Sequence, residues 1–216
     1  PEIGVASTKC FMTQMANLLM FSIWLGRRRG AIDDAQAAEL VEGLARIPQV
    51  ISERLRVTHL TITDIVRDFA EARDVLFLGR GLSFPMALEG ALKLKEISYV
   101  HAEGYAAGEM KHGPIALLDA HVPVIVLMPQ DKHYERVSSN LQEAKAREAR
   151  IIGVTVAGDE QGQELCERFV EVAPTIDALS PFVTVVPLQL YAYCVADHKG
   201  TDVDQPRNLA KTVTVE

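Results

Sequence analysis

The chain has 216 residues, of which 48% are hydrophobic and 24% are charged, and its formal net charge is -7. This composition is that of an ordinary globular protein, and the length suits one large domain or one domain with appendages. The acidic balance argues against a nucleic-acid partner, because such surfaces need clustered Lys and Arg and the only basic run is residues 27–29.

The cysteines and the first residues of the chain indicate the cellular compartment of the protein. Cys10, Cys166 and Cys194 are widely spaced and odd in number, which predicts free thiols in a reducing cytoplasm. No charged segment precedes an apolar run at the start, and residues 12–25 are too short and too polar to span a bilayer. We therefore expect a cytoplasmic protein with no membrane partner. Because the chain starts at Pro1 in what resembles a loop, we also expect a fragment of a longer protein.

The first part of the chain is predicted to be helical. Residues 10–28 form a helix that is apolar on most sides, and such a helix needs partners all round. A second helix is predicted over residues 36–55, with Pro48 breaking or bending it. A third helix near residues 61–71 leads to the first strand.

Strands and helices then alternate. Short apolar runs predict buried strands at 75–78, 122–128, 151–156 and 169–172. Helical patterns separate or follow them at 86–97, 134–150 and 183–198. This alternation predicts an α/β fold: a three-layer α-β-α sandwich with a mostly parallel, doubly wound sheet.

A glycine turn follows the first strand. Residues 79–81 read Gly-Arg-Gly, Ser83 is a candidate helix cap, and Pro85 suits a first helical turn. The turn either cradles a phosphate at the helix N-terminus or is only a turn, and it lacks the full dinucleotide fingerprint. Ligands of open α/β sheets bind at this edge, so we expect the nearby acids, lysine and histidine to lie there.

Glu89, Lys93 and Glu96 are spaced by four and three residues, so they share one face of the predicted helix. One interpretation of Lys93 and Glu96 is a surface ion pair that contributes a few tenths of a kcal/mol. The other is a general base beside a cation that stabilises developing negative charge. Spacing alone leaves both open.

Two further side chains have a structural and a chemical interpretation. His112 lies in a glycine-containing loop, where it is either structural or an acid–base group near neutral pH. Lys211, in the polar tail, is either a solvated amine or, if desolvated, a Schiff-base lysine. We find no familiar metal-ligand set, and we predict no metal and no cofactor.

Two longer segments carry a resemblance. ALKLKEISYVHAEGYAAGEMKHGPIALLD, together with DVDQPRNLAKTVTVE at the C-terminus, closely resembles the glutamine–fructose-6-phosphate amidotransferase family. EIGVASTK resembles the link between the two sugar-isomerase (SIS) halves of that family. The resemblance covers essentially the whole chain, and the tail motif is highly specific. It implies an SIS fold.

The resemblance also implies roles for individual residues. Glu96 matches the base that moves a proton between sugar C1 and C2, and Lys93 matches a lysine that assists it. His112 matches a histidine linked to ring opening, which reaches the site from the neighbouring subunit. Lys211 matches the lysine that forms a Schiff base with the ketose. The sugar-binding backbone positions correspond to Val5 and Ala210.

On this resemblance, residues 1–30 end a first SIS half, residues 31–200 form the second, and residues 201–216 are an irregular catalytic tail. The implied enzyme makes glucosamine 6-phosphate from fructose 6-phosphate and ammonia. Ammonia comes from a glutaminase domain that would be missing here, and the assembly would be a homodimer. Two alternatives stay open: a phosphosugar-sensing SIS module without catalysis, and a piece that mainly supplies a dimer interface.

Overall fold

The computed structural model describes residues 2–212, and at its centre is a five-stranded parallel sheet of order β2-β1-β3-β4-β5. The strands are β1 (Asp74–Gly79), β2 (His101–Ala106), β3 (Pro123–Met128), β4 (Arg150–Val156) and β5 (Arg168–Val172). β1, β3 and β4 are apolar along almost their whole length because helices cover both of their faces. The predicted parallel sheet is confirmed.

In the described part of the chain, six α-helices accompany the sheet: α1 (Lys9–Arg28), α2 (Asp34–Phe69), α3 (Ser83–Ser98), α4 (Tyr134–Lys145), α5 (Glu160–Glu164) and α6 (Ser180–His198). One hydrophobic cluster joins α2, α3 and α6 to one face of the sheet. A second cluster joins α4 and the 3₁₀ turn Ala107–His112 to the other face. The predicted three-layer, doubly wound arrangement is therefore confirmed.

The predicted break at Pro48 is wrong. α2 is a single helix of 36 residues, which begins in a capping box formed by Asp33 and Gln36. Its buried residues continue beyond the proline from Thr58 to Phe69 and belong to the core. Packing along this buried face compensates for the hydrogen bond that proline removes, so the two helices predicted over residues 36–55 and near 61–71 form one continuous helix.

β2 was absent from the prediction. Its sequence, HAEGYA, has no apolar run, yet it pairs with β1 over six positions, from Asp74↔His101 to Gly79↔Ala106. β2 is an edge strand, so only part of its surface faces the core. Gly104 allows close packing, because a Cβ there would lie 2.9 Å from backbone atoms of Leu88 on α3. This closeness fixes α3 against the edge of the sheet.

The glycine turn is built differently from the expectation. Ser83 does not cap α3; it lies inside the helix, buried, and Leu82 is the cap residue. Gly81 has a φ of +57°, and a Cβ on Gly79 would lie 2.2 Å from the carbonyl oxygen of Ser83. Both glycines are thus required by the turn itself, which agrees with the structural interpretation.

Two helices have strongly apolar sequences. Residues 177–198, which include α6, are long and apolar enough to cross a membrane, but 67% of their most apolar window is buried in the fold. That is the environment of a core helix. α1 packs one face on the core, whereas Leu18, Phe21 and Trp24 on α1 are exposed.

Candidate active site

An open cleft of about 330 Å³ lies where α3, α6, the N-terminal segment and the C-terminal tail meet. Its walls carry apolar, charged and hydroxyl groups from four parts of the chain. The lining residues are Glu2, Ile3, Gly4, Ala6, Thr8, Lys9, Lys93, Ile97, Gln189, Tyr193, Val203 and Asp204. The cleft therefore depends on segments that are nearly the full chain length apart.

α3 contributes a buried charged group to this cleft. Lys93 is only 3% exposed, and its ammonium contacts the carboxylate of Glu96, which is about one-fifth exposed at its side chain. The carboxylate Oε1 of Glu89 lies 3.7 Å from the same ammonium. A pair with one partner buried does not fit the interpretation as a solvated surface ion pair, because that interpretation requires both groups in water.

Burial shapes the electrostatics of these residues. Glu89 is 8% exposed, and desolvation raises its pKa to about 7; the Lys93 ammonium opposes this shift, and the Glu96 carboxylate adds to it. One ammonium with two carboxylates can thus carry a net charge of -1 or zero near neutral pH.

The N-terminal segment forms one wall through Glu2. Its Oε1 accepts hydrogen bonds from the backbone N–H and hydroxyl of Thr8 and from the backbone N–H of Lys9, at 2.7–2.8 Å. Partial burial works against ionisation, but these hydrogen bonds outweigh it and lower the pKa of Glu2 to about 2. Glu2 therefore occupies the N-terminus of α1, where a ligand anion would otherwise find free N–H groups.

The tail forms the opposite wall. The backbone N–H of Val5 donates to the carbonyl of Asp204 at 2.8 Å, and the ammonium of Lys211 donates to the carbonyl of Glu2 at 3.1 Å. Ala210 is exposed beside Lys211. The tail is irregular as predicted, and although most of its described residues are exposed, these contacts hold it against the fold. Residues 213–216, part of the predicted tail, lie outside the described residues.

Tyr99 anchors the tail to the end of α3. This residue ends the helix in a left-handed conformation with a φ of 61°. Its hydroxyl accepts a hydrogen bond from the backbone N–H of Arg207 at 2.8 Å, and the Arg207 guanidinium lies 4.2 Å from the centre of its ring. The lysine-bearing segment is thereby held within reach of the cleft.

The structure does not bring His112 to this cleft. His112 ends the 3₁₀ turn after β2, and that turn packs on the opposite face of the sheet from α3. Its ring is exposed, and its Nδ1 lies 2.8 Å from Glu109 Oε2. Within one chain, His112 therefore stands apart from Lys93 and Glu96.

The expectation that the acids and the lysine of α3 lie at the glycine turn is wrong for Lys93 and Glu96. α3 starts beside that turn at the carboxyl edge of the sheet and runs back toward the amino edge, where β2 begins. Lys93 and Glu96 are in its last two turns, roughly 15–20 Å along the helix from Ser83 at 1.5 Å per residue. The acid–lysine pair and the turn are thus at different ends of α3.

Sequence reasoning missed several residues of the cleft. Gln189, Tyr193, Asp204 and the carboxylate of Glu2 carry no local motif, and only the tertiary fold places them together. Across residues 2–212, no group of three or more His, Cys, Asp or Glu side chains is arranged to hold a metal ion.

Comparison with known proteins gives the class to which this site belongs. The sequence profile described as "SIS domain" matches residues 68–197, from the end of α2 to the end of α6. The match covers more than half of the chain and includes the whole parallel sheet. The chain belongs to the SIS domain family.

Particular relatives can also be named. The chain is 54% identical to glutamine–fructose-6-phosphate aminotransferase [isomerizing] of Bradyrhizobium diazoefficiens, covering 100% of this chain and 36% of the relative. For the Thermosynechococcus vestitus protein of the same name, identity is 52% and the shares are 100% and 34%. The chain thus spans about a third of the length of these curated relatives.

A solved structure agrees with this comparison. The C-terminal domain of glucosamine-fructose-6-phosphate aminotransferase from Francisella tularensis is 40% identical, with a TM-score of 0.90, covering 95% of this chain and 57% of that chain. The resemblance inferred from the sequence motifs is therefore confirmed, both in sequence and in fold.

Proposed function

We propose that this chain is the isomerase part of an enzyme that makes glucosamine 6-phosphate from fructose 6-phosphate and ammonia. The observation that carries the proposal is the pair of Glu96 with the buried Lys93 ammonium, beside a cleft whose lining residue Glu2 contacts Lys211. The names of the relatives support the choice of substrate. A regulatory module that only binds a phosphosugar has no need of a carboxylate paired with a buried ammonium, so that alternative lacks a supporting observation.

Each group has a role in this chemistry. Lys211 forms an imine with the C2 carbonyl of the open-chain ketose and releases water, and ammonia then displaces the Lys211 amine to leave an imine of ammonia at C2. An imine at C2 lowers the barrier to breaking a C–H bond at the adjacent carbon. Glu96 moves a proton between C1 and C2, and the Lys93 ammonium stabilises the negative charge that develops. The backbones of Val5, between the lining residues Gly4 and Ala6, and of Ala210, next to Lys211, lie along the sugar.

The assembly belongs to the same proposal. We place His112 in the site of a neighbouring subunit in a homodimer, since its exposed ring lies away from the cleft of its own chain. Ammonia is supplied by a glutaminase domain. A cytoplasmic location is supported by the three cysteines, which are all free.

The test is a hybrid enzyme in which this chain replaces the matching segment of the Bradyrhizobium diazoefficiens relative. The hybrid is supplied with fructose 6-phosphate and glutamine, and glucosamine 6-phosphate is measured by mass spectrometry, with the unmodified relative as reference. We expect product from the hybrid. A hybrid that has the size and helical content of the relative but forms no product would overturn the proposal.

A further inference from the structure

The charged face of α3 contains one group that the proposed chemistry does not use. Glu89 lies one helical turn before Lys93, on the same face, and is almost fully buried. Its Oε1 makes no hydrogen bond in the part of the chain that the structure describes, although buried carboxylates nearly always have a partner. The position of this unpartnered oxygen, 3.7 Å from the Lys93 ammonium, requires an explanation.

The charge of Lys93 depends on the carboxylates around it. In the structure Glu96 is in direct contact with the ammonium, and Glu89 is beyond hydrogen-bond distance. When Glu96 takes a proton from the sugar, its carboxylate becomes a neutral acid. The C–H electron pair stays on the sugar as a double bond, and Glu96 later returns the proton to the adjacent carbon. During that interval the buried ammonium has lost its nearest counter-charge, which favours loss of its own proton.

Glu89 is the other carboxylate that the structure places beside this ammonium, and its unpartnered oxygen is free to accept. We propose that Glu89 is a positioning residue that holds the Lys93 ammonium in place while Glu96 carries the substrate proton. A closure of about 1 Å brings the 3.7 Å separation to hydrogen-bond length. This inference rests on the proposed role of Glu96 as the base.

The electrostatics support this exchange. The charge on Glu96 contributes to raising the pKa of Glu89, so neutralising Glu96 makes Glu89 more acidic. Glu89 is therefore ionised most readily while Glu96 is protonated, which is when the Lys93 ammonium lacks its nearest counter-charge. Other elements also bring ionisable groups to the cleft: Glu2, Lys9, Tyr193 and Asp204. Glu2 stays ionised throughout the neutral range, because its pKa is about 2.

The first test needs no substrate and uses this chain alone. Glu96→Gln imitates the protonated base, and the ¹³Cε shift of Lys93, assigned by its loss in Lys93→Met, reports the charge of the amine. We expect Lys93 to remain charged in Glu96→Gln. In the double variant Glu89→Gln/Glu96→Gln, its titration moves to lower pH by about one unit or more. Identical Lys93 titrations in the single and double variants would overturn the proposal.

The second test uses the hybrid enzyme. Glu89→Gln should lower kcat by about tenfold with KM changed less than about twofold, because the loss falls on the transition state. Its kcat should also lose the rise through pH 7 that accompanies ionisation of Glu89. Glu89→Asp, which keeps the charge, should retain that rise. Glu42→Gln, at an exposed position of α2, is the matched control and should behave as the unsubstituted hybrid.

The outcomes separate the two proposals. If the unsubstituted hybrid forms no product, the proposed function fails, and the Lys93 titration still decides whether Glu89 holds the ammonium. If the hybrid is active and Glu89→Gln keeps the kcat and pH profile of the control, the role of Glu89 is wrong while the function stands. Glu89→Gln could instead lower the yield of folded protein, and Glu89→Asp could restore that yield without restoring the rise of kcat through pH 7. That outcome would also reject the positioning role, because it would show that Glu89 acts only through packing.

Discussion

The ammonium of Lys211 donates a hydrogen bond to the backbone carbonyl of Glu2, 209 positions earlier in the chain, at 3.1 Å. This contact joins the tail to the N-terminal segment across the rim of the cleft. It is an exposed hydrogen bond, so it is worth little on its own and is easily exchanged for another partner. The lysine is thereby kept close to the cleft without being fixed in it, which suits a group that reacts with a bound sugar.

Lys211 is expected to form a covalent imine with the ketose. Borohydride added to the hybrid enzyme with fructose 6-phosphate should reduce this imine and leave the sugar on the peptide that contains Lys211. The amine needs a neutral fraction for attack, so we expect the tail to close over the sugar and desolvate it. Peptide mass mapping checks the site, with Lys199→Arg as a control that keeps the label. An active enzyme labelled elsewhere, or not at all, excludes the Schiff base.

Glu96→Gln is expected to remove sugar isomerisation. Loss of a positioned general base costs about 10²–10⁴-fold in kcat. The fold should persist, because Gln has the same shape and Glu89 remains 3.7 Å from the Lys93 ammonium. Glucosamine 6-phosphate formation and circular dichroism of the same preparation provide the measurement. Near-normal product formation by this variant would remove Glu96 from the mechanism.

The chain on its own is expected to bind fructose 6-phosphate weakly at best. The Lys93 ammonium is already paired with Glu96, and the N–H groups of Thr8 and Lys9 at the start of α1 already bind Glu2. Among the described residues, these donors are therefore already engaged, and a phosphate must displace Glu2 or Glu96 to bind them. Calorimetric titration should show no tight binding, with the hybrid enzyme as the positive comparison. Micromolar affinity of the isolated chain for fructose 6-phosphate would contradict this prediction and would indicate a phosphate site in the chain.

The stability of the chain should depend on pH through Glu89. Its pKa is about 7 in the folded state and near 4.5 when unfolded, so the folded state binds more protons between these values. Stability is therefore fully present below about pH 4.5 and decreases as the pH rises toward 7, by up to about 3 kcal/mol. Glu89→Gln, which resembles the protonated form, should remove this decrease.

Urea denaturation at pH 5 and pH 8 measures the effect. The unsubstituted chain and Glu89→Gln should have similar free energies of unfolding at pH 5, and the variant should be more stable at pH 8. Glu42→Gln serves as the control for removing one negative charge from the protein. Equal pH dependence in the chain and in Glu89→Gln would mean that Glu89 titrates normally.

The central fold was predictable from the sequence. The apolar runs that form β1, β3 and β4 are buried on both faces. Parallel strands of this kind are continuous hydrophobic runs, which are recognisable in the sequence. The helical spacing placed Glu89, Lys93 and Glu96 on one face correctly. The motif around Glu96 and the tail motif led to the SIS domain family, which the profile match confirms.

Other features were decided by tertiary contacts. β2 has no apolar run, and its strand conformation comes from pairing with β1 along the sheet edge. α2 continues through Pro48 because its buried face packs on the core. Local helix propensity does not include the stabilisation from this packing. Burial of Lys93 likewise argues against a fully solvated ion pair with Glu96, which spacing alone could not do, and the role of Glu96 as a base stays a prediction.

The sequence by itself determined the strand–helix alternation, the shared helix face of Lys93 and Glu96 and the family, because periodicity and motifs are local properties of the chain. The tertiary structure alone decided the cleft, because Glu2, Asp204 and Lys211 become neighbours only when the two ends of the chain meet beside α3. It also decided that His112 lies beyond the opposite face of the sheet. Contacts between distant segments depend on the packing of the whole core, which no stretch of sequence contains.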